Sequence, residues 1–203
     1  MKEIAVGMIS LGCSKNRVDS ELMLGELARA GYCFTADPAQ ADVIIVNTCG
    51  FIEKAKEESI HTILEMAQYK KGGRLKGLIV AGCLSQRYRQ ELPIELPEVD
   101  GFLGVTAYEK VVEAVEQVLR KSRYEQFDAP TAQGCYQNRV LTTPSHYAYV
   151  KIAEGCNNRC SYCAIPYIRG KLQSRAMEDI RAEVEALLAR GVKAVSYTHL
   201  GHF

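Results

Sequence analysis

Apolar and polar residues alternate along the first 122 positions with two different periods. Unbroken apolar runs of about four to eight residues predict buried strands, and apolar residues three or four positions apart predict amphipathic helices. The predicted strands cover residues 4–11, 42–47 and 77–81, and the predicted helices cover 20–30, 55–69 and 108–120. Because strands and helices follow one another in turn, the pattern predicts an α/β domain with a parallel sheet covered by helices on both faces.

The pattern weakens between residues 123 and 145 and then resumes. The weak stretch holds two prolines, a Gln-Gly turn and few apolar clusters, and we interpret it as an interdomain linker. Residues 146–152 then read as a strand, 153–173 as a loop and 177–190 as a helix ended by Gly191. A further strand starts within 192–195, but residues 196–203 do not continue it. We therefore expect a truncated second βα domain at 146–203 and question whether residues 196–203 are native.

The composition is that of an ordinary globular protein. Of the 203 residues 47% are hydrophobic, the net charge is +1, and eight residues are cysteines. No run approaches the roughly 18 apolar residues that span a membrane, and the first residues lack a secretory signal. A cytoplasmic protein with no membrane or DNA partner is therefore expected, and its cysteines are better explained as metal ligands or core thiols than as disulfides. The basic runs at 87–89, 120–123 and 169–171 are interpreted as solvated faces that could contact a partner.

Three cysteines within eight residues are the densest chemical feature of the chain. Cys156, Cys160 and Cys163 form a C-x3-C-x2-C triplet, with Tyr162 directly before the last of them. Three thiolates at this spacing can hold three irons of a cubane iron-sulfur cluster and leave the fourth iron open to a small molecule. Zinc or a disulfide is the alternative, although zinc sites usually carry a second C-x2-C pair or histidines at a fixed distance, and no such second pair follows the triplet.

Three further cysteines are far apart in sequence but share one position relative to the predicted strands. Cys13, Cys49 and Cys83 each come shortly after an apolar run, and a glycine directly precedes two of them. The carboxyl ends of parallel strands lie on one edge of a sheet, so the three thiols are expected to converge there, where they could hold a second cluster. Burial as three core cysteines is the alternative, and the residues alone leave both open.

The motifs around all six cysteines resemble one enzyme superfamily. The triplet and its lead-in at 146–155 resemble the cluster loop of radical S-adenosylmethionine enzymes. The segments at 10–21, 46–53 and 81–87 resemble the amino-terminal domain of the methylthiotransferases within that superfamily. Residues 50–53 (Gly-Phe-Ile-Glu) and 164–170 (Ala-Ile-Pro-Tyr-Ile-Arg-Gly) are similar to the RimO-type branch, which modifies an aspartate of a ribosomal protein. The tRNA-modifying MiaB-type branch tends to carry Gln-Met-Asn and Ser-Val-Arg after the first two cysteines, and this chain carries neither.

This resemblance implies a fold, cofactors and site residues. The fold would be a Rossmann- or flavodoxin-like methylthiotransferase domain at 1–122, then the 123–145 linker, then the first βα unit of a truncated radical S-adenosylmethionine partial (β/α) barrel at 146–203. Two 4Fe-4S clusters are implied, with S-adenosylmethionine at the open iron of the second. The implied metal ligands are Cys13, Cys49 and Cys83 for an auxiliary cluster and Cys156, Cys160 and Cys163 for the radical cluster. Tyr162 would contact the adenine through its main chain or by packing.

The implied activity is the addition of a methylthio group to the β-carbon of an aspartate in a small-subunit ribosomal protein. The electron donor would be a protein such as flavodoxin or ferredoxin. Two other functions stay open: a MiaB-type tRNA adenosine methylthiotransferase, and a non-catalytic metal-binding module. Because the family's later barrel strands and its carboxy-terminal domain are missing from the chain, residues 1–203 alone are expected to bind iron and sulfur but to turn over poorly.

Overall fold

The computed structural model of the protein describes residues 4–72 and 74–198. Ten strands lie in this part of the chain: β1 Ala5–Ser10, β2 Cys33–Thr35, β3 Val43–Thr48, β4 Gly77–Gly82, β5 Gly101–Leu103, β6 Tyr124–Gln126, β7 Tyr147–Lys151, β8 Ala153–Glu154, β9 Gln173–Ser174 and β10 Ala194–Thr198. Seven α-helices accompany them: α1 Ser14–Arg29, α2 Glu53–Gln68, α3 Cys83–Arg87, α4 Leu92–Glu95, α5 Val111–Leu119, α6 Ile165–Arg169 and α7 Met177–Ala189. None of the described helices is both long and apolar enough to cross a membrane.

The first six strands form one parallel sheet in the order β2-β1-β3-β4-β5-β6. The first five strands of this order match the flavodoxin-like doubly wound arrangement, in which the chain changes direction between β1 and β3. The predicted α/β class and parallel sheet are therefore confirmed. Ligands of such sheets bind outside the carboxyl ends of the strands, at the point where the direction changes.

The two central strands, β3 and β4, are buried at every position. Helices α1 and α5 cover one face with Val18, Leu22 and Val115, and α2 packs Ile63 and Met66 against the other. Strands covered on both faces read as continuous apolar runs, which is why the sequence pattern located them to within a residue or two.

The first helix begins earlier than its hydrophobic pattern predicts. The predicted start is residue 20, whereas α1 starts at Ser14 with Cys13 as its N-cap residue. Its opening turns carry Lys15, Asn16 and Asp19, all of which are buried. A search for apolar periodicity misses them because their burial depends on polar partners from elsewhere in the chain.

The predicted linker contributes to the first sheet. Its residues 124–126 form β6, which pairs in parallel with β5 through Gly101 and Tyr124. Further along, Tyr136 and Arg139 are buried. A three-residue edge strand carries too few apolar positions to produce a recognisable run, so this part of the fold was not predicted.

A second βα unit follows the linker, as predicted. Strand β7 leads through a long loop into α7, and β10 then pairs in parallel with β7 from Tyr147 to Lys151. The loop predicted at 153–173 holds the short antiparallel pair β8 and β9 and the single-turn helix α6. Of the questioned tail, residues 196–198 belong to β10, and residues 199–203 lie outside the described part of the chain.

Candidate metal centres

Three cysteines leave the large sheet at the carboxyl ends of neighbouring strands. Thr48 of β3 and Gly82 of β4 are register partners, so Cys49 and Cys83 emerge from the sheet side by side. Cys13 follows β1, whose last residue, Ser10, pairs with Asn47. A Cβ atom added at Gly12 would lie 2.8 Å from Cys49 Cβ and 3.2 Å from Cys49 Sγ. The turn before Cys13 therefore packs directly on Cys49. We call these three cysteines the strand-end site.

A buried asparagine joins the three segments that carry these cysteines. The side-chain amide of Asn16 donates to the carbonyl oxygens of Leu11 and Thr48 at 3.0 and 2.8 Å. Its Oδ1 lies 3.4 Å from Cys83 Sγ. One residue thus holds the turns before Cys13 and Cys49 and contacts the thiol of Cys83. The motif that contains Asn16 was noted in the sequence, but this bridging role needed the three-dimensional contacts.

A glycine is required directly before Cys83. Gly82 has a φ of +94°, and a Cβ atom there would lie 2.2 Å from Asn47 Oδ1 and 2.7 Å from the Thr48 carbonyl oxygen. Both the backbone conformation and the lack of space exclude a side chain. Gly82 therefore lets β4 turn sharply, so that Cys83 begins α3 beside Cys49.

Burial sets the electrostatic character of the strand-end site. Loss of solvation raises the pKa of the Cys83 thiol to about 11, and the nearby Arg169 guanidinium opposes this rise. Arg169 Nη2 lies 3.5 Å from Cys83 Sγ. A metal-free Cys83 is therefore a thiol at neutral pH, and binding a metal requires that it lose its proton. A cation in contact with the sulfur favours the thiolate form.

The triplet Cys156, Cys160 and Cys163 lies in the loop between β8 and α6. Its three cysteines line one open cavity of about 750 Å³. The other lining residues are Asn157, Arg159, Ser161, Pro166, Tyr167 and Lys171. This volume is within the usual range for a small-molecule site. We call these three cysteines the loop site.

Main-chain bonds shape this loop. The Cys156 amide donates to the Gly170 carbonyl oxygen at 3.1 Å, and the Cys163 amide donates to the Cys160 carbonyl oxygen at 3.0 Å. Gly155 has a φ of +72°, and a Cβ atom there would lie 2.1 Å from the Lys171 carbonyl oxygen. The strand entering the loop and the turn leaving α6 are therefore in close contact, and this contact fixes the position of Cys156.

The donor set of each site fits an iron-sulfur cluster. Each site offers three sulfur atoms, the ligands that such clusters prefer. Within the described residues no group of three His, Cys, Asp or Glu side chains converges closely enough to hold a single metal ion. The fit therefore rests on the donor atoms, since three cysteine sulfurs at each site match the ligands of a cubane that keeps one iron open.

Two sequence interpretations fare differently at these sites. Tyr162 is 86% exposed and is not among the residues lining the loop-site cavity, so its contact with adenine stays a prediction. Arg169 was expected on a solvated face, and this was wrong because its side chain is only 1% exposed. Its guanidinium bonds to Asn16 at 2.7 Å and to Asp19 at 3.0 Å, and both of these residues belong to α1. Partners 150 or more positions away gave no signal in the local sequence.

Comparison with known proteins matches the same two segments. Residues 5–104 match the model of "Uncharacterized protein family UPF0004", and residues 150–199 match the Radical SAM superfamily. The chain is 54% identical over 199 residues to the ribosomal protein uS12 methylthiotransferase RimO of Clostridium botulinum, covering 96% of this chain and 44% of the relative. The protein of the same name from Acetivibrio thermocellus is 54% identical over 94% of this chain and 44% of the relative. That from Pelotomaculum thermopropionicum is 52% identical over 94% of this chain and 43% of the relative.

The chain thus spans less than half the length of these curated relatives. The matched part is 94–96% of this chain, so it extends from the first sheet into the second βα unit. These matches show that the chain belongs to the methylthiotransferase family of the radical S-adenosylmethionine superfamily.

Proposed function

We propose that this chain provides both iron-sulfur centres of a radical S-adenosylmethionine methylthiotransferase that adds a methylthio group to the β-carbon of an aspartate in ribosomal protein uS12. The observation that carries the proposal is the placement of the six cysteines: Cys13, Cys49 and Cys83 follow neighbouring parallel strands at one edge of the sheet, and Cys156, Cys160 and Cys163 line one cavity. The names of relatives more than 50% identical to this chain, which are ribosomal protein uS12 methylthiotransferases, support the substrate.

Each site has a distinct role in this proposal. Cys156, Cys160 and Cys163 would hold the radical cluster, and Cys13, Cys49 and Cys83 would hold the auxiliary cluster. When bound, the first cluster supplies the electron that cleaves S-adenosylmethionine and so makes hydrogen abstraction from an unactivated carbon possible, and the second supplies the sulfur. The match to the Radical SAM superfamily supports one iron-sulfur cluster and S-adenosylmethionine. The second cluster is inferred from the three cysteines of the strand-end site.

The chain's own residues bind and position these groups. The loop-site cavity places Arg159 and Lys171 beside the three thiols, where their charges suit a carboxylate-bearing ligand such as S-adenosylmethionine. Tyr162 would cover the adenine. The buried segment around Asn16 keeps water away from the Cys83 thiol of the strand-end site.

The proposal also includes the domain boundaries and the electron donor. The chain divides at 1–122, 123–145 and 146–203 into the sheet domain, a connecting segment that adds β6 to the same sheet, and the start of the radical domain. An electron donor such as flavodoxin or ferredoxin supplies electrons in the cytoplasm, and neither membrane nor DNA takes part.

Mass spectrometry of uS12 and of tRNA from a strain without this gene tests the substrate. Loss of a methylthio group from uS12 alone, restored by the full-length gene, is expected. Loss from tRNA with uS12 unchanged would overturn the substrate assignment in favour of the adenosine-modifying enzyme.

Metal analysis tests the two centres. Anaerobic reconstitution of the full-length protein should give about eight iron and eight sulfide per chain for two cubanes. Bound zinc without sulfide would contradict the proposal and favour a non-catalytic metal-binding module.

A further inference from the structure

Five charged side chains are buried together where α1 meets the second βα unit. They are Lys15 and Asp19 of α1, Lys151 of β7, Glu154 of β8 and Arg169 of α6, and none of these side chains is more than 5% exposed. We call them the interdomain ion cluster. Arg169 pairs with Asp19 at 3.0 Å and with Glu154 at 2.9 Å. Lys151 pairs with the same two carboxylates, and Lys15 lies 3.6 Å from Glu154.

The interdomain ion cluster is not balanced in charge. It contains three cations and two anions, and so holds an excess of one buried positive charge. The neighbouring buried group of Arg139, Arg175, Glu21 and Glu183 has two charges of each sign. The rings of Tyr108 and Tyr136 lie 5.7 Å from Lys151 Nζ but carry no net charge. An uncompensated buried charge is strongly destabilising, so the excess points to a missing anion.

The position of Arg169 indicates where that anion belongs. Besides its two carboxylates, the guanidinium contacts Asn16 Oδ1 at 2.7 Å and Cys83 Sγ at 3.5 Å. Ile168 and Cys83 pack together in one small apolar group. Arg169 is therefore supplied by the second unit of the chain but faces the strand-end site of the first.

A cluster bound at the strand-end site would supply the missing charge. A cubane in its usual oxidised state carries two positive charges, so three thiolates leave the assembly with a single negative charge. This matches the excess in the interdomain ion cluster. The inference rests on the proposed function, since it assumes that Cys13, Cys49 and Cys83 hold a cluster.

We propose that Arg169 is a positioning residue for the auxiliary cluster: from the second unit, its guanidinium compensates the charge of the thiolate-bound cluster and raises its reduction potential. Helix α6 starts two residues after Cys163, so this short helix connects the loop site to Cys83. Binding at the strand-end site is thereby coupled to the docking of the radical domain, and the cluster stabilises the interface between the two units.

The test uses the full-length enzyme with Cys156, Cys160 and Cys163 replaced by alanine, so that only the auxiliary cluster is present. Arg169→Gln removes the compensating positive charge. Asp19→Asn removes an anion and so increases the excess of positive charge in the interdomain ion cluster. Arg175→Gln is the matched control, because Arg175 is a buried arginine of the balanced group and bonds to Glu183 and to the Lys151 carbonyl oxygen. Iron content, reduction potential and melting temperature of the loaded and metal-free forms are measured for each.

Opposite shifts in reduction potential are expected from the two charge changes. Arg169→Gln should raise the ratio of oxidised to reduced cluster about tenfold, which corresponds to a fall of about 59 mV in the reduction potential of this one-electron couple. Asp19→Asn should raise the potential. The gain in melting temperature on cluster binding should shrink in Arg169→Gln and grow in Asp19→Asn, whereas Arg175→Gln should destabilise both forms equally. A purely structural role for Arg169 would not shift the reduction potential in opposite directions in Arg169→Gln and Asp19→Asn.

The measurements distinguish a wrong role for Arg169 from a wrong assignment of the auxiliary cluster. If the parent protein binds no iron after reconstitution, the auxiliary centre itself is wrong. If it binds iron but Arg169→Gln and Asp19→Asn leave the potential unchanged or move it in the same direction, only the role of Arg169 is overturned. Should Arg169→Gln fail to fold, Arg169→Lys and Asp19→Asn decide: the lysine variant keeps the charge and should stay near the parent potential, and a tenfold shift in it would contradict the charge argument.

Discussion

The strand-end site and the loop site present the same three thiols by different means. Cys156, Cys160 and Cys163 are neighbours because one short loop contains them all, and they border an open cavity. Cys13 and Cys83 are 70 positions apart and come together only because parallel strands end at one edge of a sheet. Local sequence is therefore sufficient to recognise the first site, whereas the second depends on topology.

The two sites also differ in their surroundings. Cys83 is 5% exposed and touches Asn16 and Arg169, whereas Cys160 is exposed to solvent. The difference lies at Cys83, because Cys13 of the strand-end site is exposed and Cys49 is half-buried, whereas the loop site borders a cavity that suits a small molecule that must enter and leave. In the proposed function, radical generation would thus belong to the site in a loop and sulfur supply to the site at the sheet edge.

The largest expected effect comes from removing one thiol at each site in the full-length enzyme. Cys160→Ala should abolish S-adenosylmethionine cleavage while leaving the auxiliary iron, about half of the total, in place. Cys83→Ala should do the reverse, losing auxiliary iron but keeping cleavage. Iron analysis and detection of 5'-deoxyadenosine measure both, and unchanged cleavage in Cys160→Ala would remove the role given to the loop site.

A methyl group at the glycine of either site should disturb that site alone. Gly82→Ala and Gly155→Ala each place a Cβ atom within 2.7 Å of a carbonyl oxygen at positive φ, and should cost about 3 kcal/mol or more in the free energy of unfolding. Gly82→Ala should deplete auxiliary iron, and Gly155→Ala should deplete radical iron.

Gly31→Ala is the control for these two variants. Gly31 has a φ of +85°, but nothing lies within 4 Å of an added Cβ atom, so the expected cost is only the backbone strain of about 1 kcal/mol. Denaturant unfolding of the metal-free proteins measures all three. A Gly82→Ala protein as stable as Gly31→Ala would contradict the close packing at the strand-end site.

Asn16→Ala should weaken the strand-end site without affecting the loop site. The change leaves the buried carbonyl oxygen of Thr48 and the partly buried one of Leu11 without this donor, at an expected cost of about 2–3 kcal/mol. Asn138→Ala, at an exposed asparagine, should change stability by less than about 0.5 kcal/mol. Iron content and denaturant unfolding distinguish them, and equal effects would refute the bridging role of Asn16.

The smallest effect is expected at the opposite edge of the sheet. Asp42 precedes β3, accepts a hydrogen bond from the Ala5 amide at 3.0 Å and pairs with Arg74 and Lys76 at 2.8 and 3.0 Å. The hydrogen bond from Arg74 holds the pKa of this carboxyl well below its ordinary value of 3.8, against the opposing effect of burial. Because the basic side chains of Arg74 and Lys76 are half exposed, Asp42→Asn should lower the free energy of unfolding by only about 1 kcal/mol and leave iron content unchanged.

The contribution of Asp42 should depend on pH with a definite sign. The folded pKa lies below the unfolded one, so its stabilisation is fully present above the ordinary pKa and is lost as the pH falls below about 4. Urea unfolding of the metal-free protein and of Asp42→Asn between pH 3 and 7 measures this. A difference between the two that grows as the pH falls would contradict the assignment.

The sequence predicted those parts of the fold that rest on apolar periodicity. Strands β1, β3 and β4 and helices α2, α5 and α7 were located to within about three residues, because their buried faces must be apolar. The early start of α1 and the strand β6 were missed, the first because its buried residues are polar and the second because it is too short. Arg169 was misjudged because a charge is normally solvated unless distant partners surround it.

By itself the sequence determined the chemistry available to this protein: six cysteines with the spacing and strand-end positions that suit two clusters. Only the tertiary structure decided that Asn16 holds two of the cysteine-bearing turns, and that a guanidinium from the second unit reaches Cys83. The physical reason is that hydrogen bonds and ion pairs between distant segments leave no periodic trace in the chain, whereas burial of apolar faces does.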